Sequence, residues 1–334
     1  MGPLERASVG LLLVWIGWAA ASAALAGELL SPLSPYVGAP LSLSIGVALG
    51  IRVSRWDGSW WIAWVLFGLT SLLLVAVLAT HGPAKGPTGY ANANAALAVQ
   101  LIGLTGLALI GARGRRRGLL LLTSVVGLGV VLANSSVGAL GVGAPVLALA
   151  LLMAFRPARR RGWVVAALVV EAAAVALAAR TVTALAGRPD WPAWANATLD
   201  SARHSLWSDA LAIWSGHPIA GAGPGMFERL SRLGHDPDTA AAHSSLLQVG
   251  AETGWVGVIL LAAVIVVGWL WTTRGAPAYA VVASATWTAL VVHSFADHLV
   301  DFPAILVAAG AVIGWGARSR SSEELDVPEG EGPG

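Results

Sequence analysis

Cysteine is absent from the 334 residues, which excludes disulfides and thiolate metal sites. Charge is scarce: 11% of the chain is charged and 56% is hydrophobic, whereas charged residues make up about a quarter of a soluble domain. Such a chain is an integral membrane protein. The two-residue alternation of an outer-membrane barrel strand is missing too, while the apolar runs are long enough to cross about 30 Å of hydrocarbon as helices. No repeat at a solenoid period and no separate soluble domain is seen. The net charge of +2 says little about partners, because the arginines sort by loop and form no nucleic-acid-binding face. The expected fold is all-α: a polytopic transmembrane bundle of about ten helices, with one long extracytoplasmic loop carrying an amphipathic helix.

What is there in abundance is apolar runs. The bundle is expected over 1–317, with spans at 8–27, 36–51, 59–80, 91–112, 118–133, 136–155, 162–186, 253–272, 277–297 and 303–317. Ala24-Leu25-Ala26 has the small-residue pattern of a secretory cleavage site. The apolar run before it is longer than an h-region of about 7–15 residues, which favours a retained helix. Arg6, Arg52, Arg55, Arg113, Arg115–Arg117, Arg156, Arg159–Arg161, Arg274, Arg318 and Arg320 then share one side. Lys85, Arg188, Arg203, Arg229 and Arg232 are on the other. The bias places both termini in the cytoplasm, with 318–334 a short, acidic, disordered tail. The long loop 187–242 is expected on the outer face.

Inside that loop, "DSARHSLWSDALAIWSG" reads as a helix with Asp200 as N-cap and Gly216-His217-Pro218 as its stop. Leu206, Trp207, Ala210, Leu211, Ile213 and Trp214 fall on one face, so the helix lies on the membrane or caps the bundle. Arg203 falls within this apolar stripe. It either snorkels to a lipid phosphate or points into a cavity to hold an anionic group with its guanidinium fork. Gly221-Ala222-Gly223-Pro224-Gly225 is a weak nucleotide fingerprint, since no strand precedes it. It reads as a tight turn, or as a backbone cradle in which Gly221 and Gly223 bring N–H groups close to an anion. His243 reads as a cap or interfacial hydrogen bond, or as a general base near neutral pH. Glu252 orients a partner or closes the turn at Gly254.

Together these pieces resemble the O-antigen ligase and O-antigen polymerase family, to which pilin O-oligosaccharyltransferases are related. "GYANANAALA" is similar to that family's Asn-Pro-Asn segment, with Asn92 and Asn94 retained and Ala93 where proline is usual. "RHSLWSDALAIWSGHPIAGAGPGMF" resembles its Arg, Trp, Pro and Gly-x-Gly pattern and places the outer-loop arginine at Arg203. "HSSLLQVGAETGWVG" places its histidine at His243, and "HSFADHLVDFP" places its aspartate at Asp297. The resemblance implies glycan transfer at the extracytoplasmic face of the bacterial inner membrane. The glycan would leave an undecaprenyl-diphosphate carrier for an acceptor hydroxyl on a glycan or lipid-glycan, with no metal, nucleotide or other cofactor. His243 and Arg203 would be catalytic, and Arg180, Lys85, Asn94, Gly221, Gly223 and Asp297 would bind substrate. There is a departure: Ser136, in "NSSVGALG", stands where many members have arginine. A basic residue expected to hold the diphosphate is missing there, so catalytic competence rests on Arg180 or Lys85 supplying the charge.

Three other readings stay open. A solute carrier would place ionisable groups near the bilayer midplane, where Glu171 alone sits. Metal-dependent transfer would use His293, Asp297 and Asp301 on one helical stripe. A non-catalytic, partner-binding relative is consistent with Ser136.

Overall fold

The computed structural model describes residues 2–56, 58–80, 86–234 and 236–317. Lys85 and the tail 318–334 lie outside the described residues. Among the described residues there is no strand. The helices are α1 (Pro3–Leu25), α2 (Pro35–Ser54), α3 (Trp60–Ala79), α4 (Ala91–Leu109), α5 (Gly114–Ala133), α6 (Val137–Phe155), α7 (Gly162–Ala186), α8 (Ala193–Thr198), α9 (Ser201–Gly216), α10 (Met226–Leu230), α11 (Ser245–Thr272), α12 (Pro277–Phe295) and α13 (Pro303–Gly316). Nine of them are long and apolar enough to cross a membrane, so the all-α polytopic bundle expected from composition is what the chain forms.

Local chemistry sets where these helices begin. Pro35, Pro277 and Pro303 open α2, α12 and α13 at positions whose N–H has no helical partner anyway. Asp200 caps α9 by accepting from Arg203 N at 2.8 Å, and Ser136 caps α6 by accepting from Ala139 N at 3.2 Å.

The helices sort into an inner and an outer set. α4 and α12 are buried almost all round and carry small and hydroxyl residues such as Gly103, Gly106, Thr105, Ser284 and Thr286. α1, α3 and α7 turn Leu13, Leu72, Val169 and Leu177 outward, the arrangement expected of a lipid-facing shell. At 14 residues, α13 spans about 21 Å, less than the hydrocarbon layer needs. It lies against α2 through Gly310 and Gly314 facing Gly46 and Gly50, where an added methyl group would overlap backbone carbonyl oxygens of the opposite helix. Small residues four apart let two backbones approach this closely.

Because the helices alternate in direction, the bundle has two unlike ends. One carries Arg52, Arg55, Arg115–Arg117, Arg159–Arg161 and Arg274, and is tied by Arg274 Nη1 to Glu5 Oε1 at 3.4 Å and by Arg161 to Thr273 O. The other carries α8, α9 and α10. Here α9 caps the bundle: Leu206, Trp207, Ala210 and Trp214 are buried. Asp209 is buried as well. It accepts from Ser231 Oγ, Arg232 N and Arg232 Nε, pinning the segment after α10.

α11 departs from the span expected at 253–272. It starts eight residues earlier and is broken at Gly254, whose φ is 66°. A hydropathy window passes over "SLLQVGAE" because those turns are polar. They are nevertheless helical, capped by Ser244, with Leu246, Leu247, Val249 and Ala251 packed under the loop.

Candidate functional site

The break in α11 explains the glycine-rich turn. Ending one helical segment at Gly254 leaves the carbonyls of Ala251, Glu252 and Thr253 without their usual partners, and a buried carbonyl must find one. Ala222 N donates to Ala251 O at 2.8 Å and Gly223 N to Glu252 O at 3.0 Å. Ser22 Oγ donates to Glu252 O and Trp18 Nε1 to Thr253 O. In return Trp255 N donates to Pro218 O at 2.8 Å, and Gly221 N to His217 O at 3.0 Å. At Gly221, φ is 70° and a Cβ would overlap the Glu252 backbone. The amides of Ala222 and Gly223 therefore splice the broken helix to the loop, and that of Gly221 closes a turn onto His217 O, so neither glycine has a free N–H to offer an anion.

A different group of residues gathers where the loop meets the ends of α4 and α12. Asp297, 1% exposed, is its centre. Tyr90 Oη donates to both carboxylate oxygens, at 2.9 and 3.0 Å. Asn92 Nδ2 donates to Oδ2 at 2.7 Å, Arg203 Nη2 to Oδ2 at 3.2 Å and His298 N to Oδ1 at 2.8 Å. Arg203 Nη2 also donates to Tyr90 Oη at 3.2 Å. Ser245 N and Oγ donate to the Asp297 carbonyl, tying the start of α11 to the same point.

Two histidines flank this carboxylate. His298 Nδ1 is 3.1 Å and His243 Nδ1 3.7 Å from Asp297 Oδ1. Their rings meet edge to face with centroids 4.4 Å apart, and Tyr90, His298 and Phe302 stack beside them. His243 has φ 49°, a left-handed conformation that costs a non-glycine residue about 1–3 kcal/mol. Its carbonyl accepts from Trp207 Nε1 at 3.2 Å, and its Nε2 is 2.9 Å from Asp238 O. A carbonyl only accepts, so Nε2 carries the proton of a neutral ring.

The charges fit that state. Burial, then the neighbouring charges of His298 and Arg203, hold His243 below its ordinary value, against the opposing pull of Asp297 and the Asp238 carbonyl. Burial alone would raise Asp297. The His298 hydrogen bond and the charges of Arg203, His298 and His293 outweigh it and keep the carboxyl well below its usual range. Burial and the Asp297 charge push the Tyr90 phenol up, so it remains a donor. Burial pushes Asp301 up to about 6, with His298 opposing and Asp297 adding.

His243 and His298, with Asp301 and Phe302, line a cavity of about 740 Å³. Its polar part also holds Ser245, Gln248 and Glu252, whose Oε1 accepts from Gln248 Nε2 and Phe227 N. Its other walls are Leu12, Leu43, Leu261, Val264 and Leu306, with Leu29 and Leu33 of the α1–α2 connector at the mouth. A second, more apolar cavity of about 280 Å³ shares Leu12, Leu43 and Val264 and continues between α1, α2 and α11 to Trp271. The pair forms an apolar path from the histidines toward the arginine-rich end.

Of the residues singled out in the sequence, His243, Arg203 and Asp297 come together, and Arg203 faces inward on a carboxylate. Asn94 is buried one turn below, accepting from Thr88 Oγ1 at 2.9 Å and so holding the loop that carries Tyr90. Arg180 is exposed on α7, lines neither cavity and has no ion-pair partner among the described residues. Ser136 caps a helix. Glu171 is buried between α7 and α12, with Ser284 Oγ and Thr288 Oγ1 donating to it, and it lines neither cavity. His293, Asp297 and Asp301 do not assemble; the clustered set is His243, Asp297 and His298, with ligand atoms within 4.8 Å of one another. A cation fits poorly there, because donors already fill both oxygens of Asp297 and one is a guanidinium. Tyr90 and His298 had passed unnoticed in the sequence, although each sits beside a residue of a motif, Tyr90 before Asn92 and His298 after Asp297.

Residues 118–262, from α5 to the middle of α11, match the family model described as O-antigen ligase. The match covers less than half of the chain. The matched segment includes Arg203 and His243; Tyr90 and Asp297 lie outside it. A search of curated proteins returns no match.

Proposed function

We propose that this membrane protein is a glycosyltransferase of the O-antigen ligase type. It would move a glycan from an undecaprenyl-diphosphate carrier to an acceptor hydroxyl at the extracytoplasmic face of the inner membrane, with both termini cytoplasmic. The observation that carries the reading is the join between two unlike surfaces: a leucine-lined path of polyprenyl character, and a polar rim holding two imidazoles against a buried carboxylate. A carrier lipid would lie along the path with its head at the rim, and the acceptor would arrive through the loop. The arginine bias between the two ends supports this orientation.

In this reading the acceptor oxygen attacks the anomeric carbon and the bond from that carbon to the phosphate oxygen breaks, its electron pair leaving with the diphosphate. An imidazole of the rim takes the acceptor proton, and burial holds His243 in the neutral form that can do so. Arg203 keeps Asp297 ionised through Nη2 and has Nε without a hydrogen bond among the described residues. Nε is enclosed and faces Asp200 Oδ2 at 3.7 Å, which leaves Nη1 as the part of the fork for a phosphate oxygen. The leaving group is already anionic, and no metal is invoked. A polymerase that adds repeat units would use the same site with a glycan acceptor.

Transfer measured in membranes with equal amounts of each variant tests the reading. His243→Ala should lose about 10²–10⁴ in turnover, the range for removing a general base. Arg203→Lys should also lose activity, since an ammonium cannot reproduce the fork. Near-wild-type transfer by both would refute the assignment, and inhibition by EDTA would refute the metal-free scheme.

A further inference from the structure

The proposed reaction needs an imidazole with one nitrogen fixed and the other open to a hydroxyl, and the two cavity histidines differ in this respect. His243 turns both nitrogens to protein, Nε2 to Asp238 O and Nδ1 to Tyr90 Oη at 3.4 Å. His298 turns only one. Its Nδ1 lies 3.1 Å from Asp297 Oδ1, and its Nε2 has no hydrogen-bond partner among the described residues, on a ring that lines the cavity. Nδ1 makes no hydrogen bond among the described residues, so its contact with Asp297 is electrostatic and Nε2 is the nitrogen that can meet a hydroxyl. Tyr90, Phe302 and His243 hold the ring plane from three sides. A carboxylate that orients an imidazole whose far nitrogen meets a hydroxyl is the general arrangement of base catalysis. The cavity favours a hydroxyl here: Asp238, Glu252 and Asp301 line it, and its one arginine, Arg229, is paired with Glu28 at 2.5 Å.

We propose that His298, held against Asp297, is the catalytic base that takes the acceptor's proton on Nε2, with His243 beside it positioning the ring through their edge-to-face contact. The acceptor O–H bond breaks, its proton goes to Nε2, and its oxygen bonds the anomeric carbon as the carrier diphosphate leaves. Asp297 stabilises the resulting imidazolium. This inference rests on the transferase reading.

The probe is the carrier-linked glycan extracted from cells lacking the chain, and the readout is carrier diphosphate released by purified protein in nanodiscs. His298→Phe keeps the ring stack and removes the nitrogens. Its turnover should fall by about 10²-fold or more, with KM for the lipid and the melting temperature unchanged. Added imidazole should restore part of the turnover of His298→Ala, a rescue that a packing role would not give. A His298→Phe enzyme within about threefold of wild-type turnover overturns the assignment, as does a stably folded His298→Ala that imidazole leaves inert. Wild-type protein that releases no carrier diphosphate overturns the transferase reading itself and this inference with it.

Discussion

The turn at 221–225 and the carboxylate at Asp297 were both singled out in the sequence, and the fold gives them opposite parts. Three glycines in five residues look like a ligand cradle, yet the amides of Ala222 and Gly223 are bonded to carbonyls that the break at Gly254 sets free, and that of Gly221 to His217 O. Asp297, placed among the substrate-binding residues by resemblance, has four side-chain or backbone groups from three parts of the chain donating to it. A glycine's value is conformational, and here it serves a splice in the backbone. A buried charge, by contrast, has to be surrounded by donors wherever it lies, so it collects a site around itself.

The widest gap between the two regions should appear on removing the charge. Asp297→Ala leaves the Arg203 guanidinium buried without its partner, and Tyr90 and Asn92 without their acceptor. Breaking a buried pair in this way destabilises by about 3–5 kcal/mol. Thermal unfolding in detergent should show a large drop, and adding Arg203→Met should recover part of it. A double variant no more stable than the single one would mean that the hub is held by something other than this ion pair.

Much of this architecture could be read from the residues. The apolar runs locate the helices because lipid demands length and hydropathy, and Asp200 and Gly216 bracket α9 by their backbone preferences. Arg203 betrayed itself by sitting in an apolar stripe. What could not be read was whatever depends on a second segment: the early, polar start of α11, the inward turn of Asp209, and the meeting of Tyr90 and His298 across more than two hundred residues. Each of these is decided by a partner distant in sequence, and periodicity carries no information about it. Which way Arg180 faces is likewise decided by the packing of α7 rather than by its depth in the helix.

A moderate effect separates splice from site. Gly221→Ala puts a Cβ into the Glu252 backbone at a φ of 70°, and strain of this kind costs about 1–3 kcal/mol. Its melting temperature should fall while transfer per folded molecule stays near that of wild type. Gly216→Ala, whose added methyl group meets nothing within 4 Å, is the matched control and should melt like wild type. If Gly221→Ala instead keeps its stability and loses transfer, the turn belongs to the site after all and the contrast with Asp297 dissolves.

The smallest effect belongs to Arg180. It lies on the lipid-facing side of α7, lines neither cavity and contributes only its backbone carbonyl, accepting from Thr183 Oγ1, to the hydrogen bonding around it. A surface substitution away from buried networks changes stability by less than about 0.5 kcal/mol. Arg180→Ala should therefore alter neither melting nor transfer, and it should do so at low salt as well as high, where an exposed charge steering an anionic lipid headgroup would show itself. A tenfold loss of transfer at low salt that vanishes at high salt would place a working cation outside the carboxylate hub. The arginine that the resemblance expects at Ser136 would then have its substitute on α7 rather than at the rim.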